Sequence, residues 1–330
     1  MMKKAYISLF LLSLTTLLFG QDLHFTQFSE NQQYINPALI GKFNGQHKYN
    51  MSFRSQWRSV TVPYRSFGAA YESSQLAGNK FLNGGFSLYR DKAGDSEYTV
   101  TQIAIALSYS VKLTQNSALS LGIQTGINSY SLDLSKLKFE SQYKPDIGYT
   151  STASNQENLS RFNFINPDLN IGLCYFGNFG WGFLKAGYAM YHVIPTDVHF
   201  YTANANPTDV RNNIFVSTSI KSNQNNVNLA LVRSMHQTLD ETVFEISYDI
   251  NMLNDNGFFR IGNVTRLGDA TAAVLGFKFA SWYFGYSYDF NYSDLTQSSN
   301  GKGASELSIS YLYKPIKSYK RRFDSCPVFL

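Results

Sequence analysis

The chain has 330 residues with 15% charged and 16% aromatic side chains, 23 of them Tyr and 26 Phe. A soluble domain averages about 25% charged residues, so ordinary cytosolic solubility is a poor fit. The formal net charge of +5 falls to +3 without Lys3 and Lys4, which excludes nucleic-acid binding driven by bulk charge.

The first element is a processing signal: Lys3 and Lys4 precede the apolar run Ala5–Phe19, which ends at Gly20. Cleavage is expected before Gln21, so residues 1–20 are excluded from the fold. No cysteine stands directly after the apolar run, and no later stretch of about 18 apolar residues offers a helical membrane span.

Residues 21–46, QDLHFTQFSENQQYINPALIGKFNGQ, lack sustained alternation and are punctuated by Pro37 and Gly41. Two states suit such a segment: a plug folded back into a barrel mouth, or a loosely ordered tail.

From residue 47 the pattern changes. In Tyr98–Leu113, the odd positions Ile103, Ile105, Leu107, Tyr109, Val111 and Leu113 are apolar, and the even positions Gln102, Ala104, Ala106, Ser108 and Ser110 are small or polar. Strand side chains alternate faces with a period of two, so one face suits lipid and the other a polar lumen. Fourteen such segments are predicted, near 48–57, 65–73, 82–90, 98–113, 118–131, 166–176, 181–192, 213–221, 226–233, 241–251, 257–265, 271–280, 281–290 and 305–313. The fold expected is an all-β transmembrane antiparallel barrel of about 14 strands over 47–313. A secreted β-sandwich array would also bury aromatics, but would not explain reverse faces such as Ser120, Gly122, Gln124, Gly126 and Asn128.

Links from even to odd strands look short, as at Thr114–Ser117, Gly177–Gly180, Ser222–Asn225 and Met252–Asn256. Links from odd to even include the long Leu132–Ile165, Val193–Asn212 and Asn291–Ala304. Short periplasmic turns and longer outer loops are the rule for outer-membrane barrels, which places both termini in the periplasm. Rings on one face, Trp282, Phe284, Tyr286, Tyr288 and Phe290, suit an aromatic girdle at the lipid boundary.

Residues 314–330 form a basic periplasmic tail in which Lys317, Lys320, Arg321 and Arg322 are candidate partner contacts. By charge alone a solvated tail is the plainer reading. Cys174 and Cys326 fall toward the same end, so a disulfide between them and two separate thiols are both compatible with the sequence.

Catalytic patterns are lacking. The five histidines are scattered, without His-Glu-x-x-His or Gly-x-Ser-x-Gly. His192, Asp197 and His199 make a conceivable metal site, although loop histidines are the commoner case. Asp289 reads as a lumenal wall carboxylate. No enzyme, metal or cofactor is expected.

Four ordered motifs carry a family resemblance. At the mature start Asp22, Phe25, Gln27, Phe28, Asn36, Pro37, Ala38 and Gly41 are similar to Asp-Pro-x-Phe-Ser-Gln-Tyr, Asn-Pro-Ala and Gly of the PorP/SprF family, with Leu23 where Pro is usual and Thr26 where Ser is usual. Arg54, Gln56 and Trp57 resemble its Arg-x-Gln-Trp; Tyr286, Ser287, Tyr288 and Asp289 its Tyr-Ser-Tyr-Asp; Cys326, Pro327 and Phe329 its closing Cys-Pro-x-Phe. The resemblance implies an outer-membrane component of the type IX secretion system of Bacteroidota. Its expected partners are the periplasmic ring, the translocon and a secreted surface protein such as a gliding adhesin. The alternative from the barrel pattern alone is a channel for hydrophobic or small solutes.

Overall fold

The computed structural model describes residues 23–58, 62–133, 135, 137–144, 146–150, 162–198, 200, 209–237, 239–252, 256–293 and 296–315. The expected leader 1–20, Asp22, His199 and the tail positions Lys317, Lys320, Arg321, Arg322, Cys326, Pro327 and Phe329 lie outside them. The choice between a Cys174–Cys326 disulfide and two separate thiols therefore lies outside them too.

Fourteen antiparallel strands close into one barrel. They are β1 (His47–Gln56), β2 (Tyr64–Ser73), β3 (Leu82–Ala93), β4 (Tyr98–Lys112), β5 (Ser117–Ser131), β6 (Asn163–Phe179), β7 (Gly182–Tyr191), β8 (Arg211–Ser222), β9 (Asn225–His236), β10 (Leu239–Met252), β11 (Gly257–Arg266), β12 (Ala270–Phe279), β13 (Trp282–Asn291) and β14 (Lys302–Tyr313). Each pairs with its sequence neighbours, and β1 closes on β14 with His47 opposite Tyr313. Closure leaves no open edge, the condition for a sheet to cross lipid. With an even strand count, the start of β1 and the end of β14 lie at one end of the barrel, whereas the first described residues lie toward the other, His24 beside Gln56.

The period-two division sets the faces. On β4, Ile105 is 61% exposed while its neighbour Ala106 is 4% exposed. Tyr49, Tyr71, Trp282 and Tyr311 cluster on the outer surface toward the terminal end, with Trp282 and Tyr311 centroids 4.7 Å apart. The inner wall is small and polar: Ser52, Ser87, Ser108, Ser120 and Ser308 are all at most 1% exposed.

Several strands run longer than the periodic reading, β6 among them. β6 begins at Asn163, before Pro167, because its ladder with β5 starts there, opposite Ser131, while its pairing with β7 starts only at Ile171. Proline is tolerated where one flank of a strand lacks a ladder partner. The long link after β5 carries a small ladder of its own, Tyr143–Lys144 against Gly148–Tyr149.

Candidate functional site

The polar lumen places serine hydroxyls and strand carbonyls within reach of any chain inside it. Residues 23–46 occupy that space. Their regular part is one helical turn, α1 (Gln32–Ile35), followed by a 3₁₀ turn at Pro37–Leu39. Ala38, Leu39 and Ile40 are at most 1% exposed. Hydrogen bonds fix the segment to strands on every side of the barrel.

The first anchor is charged. Glu306 on β14 accepts the backbone N–H groups of Thr26 at 2.7 Å and Gln27 at 3.0 Å, one on each carboxylate oxygen. Arg54 on β1 bridges the site, its guanidinium 2.8 Å from Asp289 Oδ2 and 3.4 Å from Glu306 Oε2. Thr26 Oγ1 donates to Asp289 at 2.9 Å and also accepts from Arg54. Arg54 is 3% exposed, Asp289 3% and Glu306 1%, so each charge depends on its partners rather than water. Gln56, next in the same motif, lies 3.4 Å from His24 through the two Nε2 atoms.

The second anchor is an amide. Asn36 Oδ1 accepts from Ala38 N at 2.8 Å, which caps the 3₁₀ turn, and Pro37 presets its first residue. Asn36 Nδ2 donates to the carbonyls of Leu173 on β6 and Tyr188 on β7, both at 3.1 Å. The wall here has no side chains: a Cβ on Gly122 would meet Pro37 C and Ala38 N at 2.3 Å. Small residues are required for this approach.

A third contact is carried by Glu30, between Lys48 at 3.4 Å and Arg260 at 3.9 Å, with Ser310 Oγ donating at 3.1 Å. Burial pushes the Glu30 carboxyl up, but Lys48 and Arg260 outweigh it and hold the group below its ordinary value. Arg260 is itself clamped by Asp249, with Nε 2.6 Å and Nη2 2.9 Å from its carboxylate. Phe25 packs on Tyr89 at 5.9 Å.

On the opposite side Arg211 lies over the rings of Tyr34 and Tyr191, at 4.6 and 4.3 Å. His192 is buried, at 6% exposed, and its Nδ1 is 2.8 Å from Asp168. It therefore belongs to the inner wall and not to a surface loop. Among the described residues no three His, Cys, Asp or Glu are grouped to hold a metal. Cys174 faces the lumen, packed with Ile35, Ala38 and Leu39.

The motif positions thus divide. Phe25, Asn36, Pro37, Arg54 and Asp289 meet inside the barrel. Trp57, at φ +56°, stacks edge-on with Tyr64 at the rim, and Tyr288 faces outward against Phe290. Glu306 was missed by motif reading. Its signal is a lone carboxylate on the polar face of the last strand, in register with Ser308 and Ser310.

Among the described residues, two cavities lie beside the segment. One of about 20 Å³, bordered by Tyr89, Gln124, Asp168 and His192, holds no more than a water. The other, about 230 Å³, lies between Phe25, Phe28 and Ile35 and the walls of β9–β11.

Residues 17–311 match the family described as type IX secretion system membrane protein PorP/SprF. The chain belongs to the PorP/SprF family. Family and fold together make it an outer-membrane β-barrel of the type IX secretion system. Among solved structures it is similar to the Ralstonia pickettii toluene transporter TbuX, at TM-score 0.53 and 11% identity over 86% of this chain and 94% of that one. The CymD monoaromatic hydrocarbon channel gives TM-score 0.50 at 10% identity over 90% and 96%. At such identities the likeness concerns the fold. No curated protein matches the sequence significantly.

Proposed function

We propose that this PorP/SprF barrel is an adaptor that supports export or surface anchoring of a partner surface protein, and is not itself the protein-conducting pore. The observation that carries this reading is the occupied lumen. Residues 23–46 are tied to opposite walls by the Glu306 and Asn36 anchors, and among the described residues the cavities beside them measure about 20 and 230 Å³. Neither admits a polypeptide domain. With the bore closed, recognition falls to the loops and to the tail, where a rigid scaffold ordinarily presents it. In this reading the barrel end that carries His47 and Tyr313 faces the periplasm, because the longest links, 132–162 and 192–210, lie at the opposite end. Residues 314–330, with Lys317, Lys320, Arg321 and Arg322, would then meet periplasmic machinery, and the long loops would meet cargo or translocon. The reading assigns no catalytic step to the chain.

The test is affinity capture of the full-length tagged protein from native outer membranes, followed by mass spectrometry. Co-recovery of type IX components or a large surface protein, lost on deletion of 314–330, supports the adaptor. A partner-free barrel overturns it.

A second reading, passage of small hydrophobic solutes, draws on the 230 Å³ cavity beside Phe25 and Phe28 and on the fold likeness to TbuX and CymD. Uptake of labelled toluene into liposomes containing only this barrel would favour it.

A further inference from the structure

The outer surface of the barrel carries a charged groove that the lumenal anchors do not use. Its floor is set by register. One row across the strands reads Tyr286, Leu307, Phe53 and Phe67, ending at Arg90. The next row, one step further from the terminal end, reads Tyr288, Ser305, Ser55, Arg65 and Lys92. The small Ser55 and Ser305 leave a depression of about 460 Å³ between tyrosine and arginine walls, and Arg58 overhangs it. All these row residues point away from the lumen: Phe53 is 47% exposed and Tyr286 48%.

The cations here are poorly compensated. Arg65 stands directly opposite Lys92, and like charges facing each other across a ladder destabilise the pair. Lys92 has Glu97 at 2.8 Å. Among the described residues Arg58, Arg65 and Arg90 have no carboxylate partner. Asp91, between Arg90 and Lys92, turns into the lumen and accepts from Ser66 Oγ at 2.7 Å. The position is also distinctive. The apolar outer face of β1 runs Tyr49, Met51, Phe53 and stops at Ser55; that of β3 runs Phe86, Leu88 and stops at Arg90. The cations therefore begin where the lipid-facing band ends, at headgroup depth, with an apolar wall directly beneath.

We propose that this groove binds a phosphorylated glycolipid of the outer leaflet, its phosphate between Arg58, Arg65 and Arg90 and an acyl chain along Phe53, Phe67 and Leu307. Guanidinium groups suit phosphate, which they engage in bidentate fashion. The apolar row supplies what a free anion would not use. The leaflet assignment rests on the orientation given under Proposed function.

The experiment titrates delipidated, detergent-solubilised barrel with diphosphorylated lipid A, read by native mass spectrometry. Dephosphorylated lipid A and millimolar inorganic phosphate serve as the comparison probes. The expected result is at least about tenfold preference for the phosphorylated lipid, lost in Arg65→Gln/Arg90→Gln and largely kept in Arg65→Lys/Arg90→Lys. Equal binding by the wild type and the double Gln variant overturns the site. Displacement by millimolar inorganic phosphate overturns the lipid in favour of a free anion. Orientation is read separately, by labelling Asp95→Cys on intact cells with an impermeant maleimide. Labelling only after the outer membrane is opened overturns the leaflet assignment, whatever the lipid titration gives.

Discussion

Asn36 reaches the barrel wall at Gly172 so closely that a Cβ there would lie 2.0 Å from Asn36 Oδ1. That oxygen already accepts from Ala38 N, so it cannot turn aside without uncapping the 3₁₀ turn. Gly172→Ala is expected to expel the Asn36 turn rather than squeeze it, at a cost of roughly 1–3 kcal/mol. Hydrogen exchange over residues 31–42 should accelerate in the variant while exchange in β1–β14 stays slow. Unchanged protection would refute the contact.

Arg54 compensates two buried carboxylates, so its loss leaves Asp289 and Glu306 facing each other across Thr26. Arg54→Ala should weaken docking of residues 23–30 by about 3–5 kcal/mol. Arg54→Lys should recover only part, since one ammonium cannot address both acids with the guanidinium's fork. Limited proteolysis within 23–46, with the barrel core intact on the same gel, separates the three proteins.

Glu306→Gln tests the double backbone contact. A carboxylate accepts two N–H groups, but an amide presents one acceptor and one NH₂, so either Thr26 N or Gln27 N loses its partner. About 1–3 kcal/mol of docking is expected to disappear. Amide exchange at Thr26 and Gln27 is the readout, and equal protection in both proteins would show the second bond to be dispensable.

The Glu30 carboxyl is held below its ordinary value of 4.5 by Lys48 and Arg260. A depressed folded-state value contributes stability that is present above the unfolded value and is lost as pH falls through the folded one. The stability gap between wild type and Glu30→Gln should be constant near neutrality and shrink only below about pH 4.5. Chemical denaturation at pH 7 and pH 3 measures it. A gap that is the same at both values would remove Glu30 from the set of anchors.

Deleting residues 23–46 should convert a closed barrel into a conducting one, because small serines then line an empty bore. Planar-bilayer recording is the check, with discrete ion steps expected for the deletion and a quiet trace for the full chain.

The wall was far more legible in the sequence than what fills it. Alternation over β4 or β13 fixes which residues face lipid, since each second side chain repeats the same demand. The segment from residue 23 has no such repeat. Its conformation follows from partners about 280 positions away, such as Glu306 for Thr26. Motif comparison singled out Arg54 and Asp289 without revealing that they meet, and it passed over Glu306 entirely. Thr26, where the family usually has Ser, keeps a hydroxyl that donates to Asp289. His192, at the close of a predicted strand just before Pro195, reads as a loop residue, yet Asp168 on the neighbouring strand draws it inward.

The order in which these parts leave the ribosome adds one consequence. Thr26 and Gln27 are synthesised early, while Asp289 and Glu306 stand on the last two strands. The earliest segment therefore has no seat until the final hairpin is in place and the cylinder has sealed. Seating of Thr26 and Gln27 is in this sense a certificate of completed assembly, and a barrel truncated before β13 would carry a dangling N-terminal end however well its remaining strands paired.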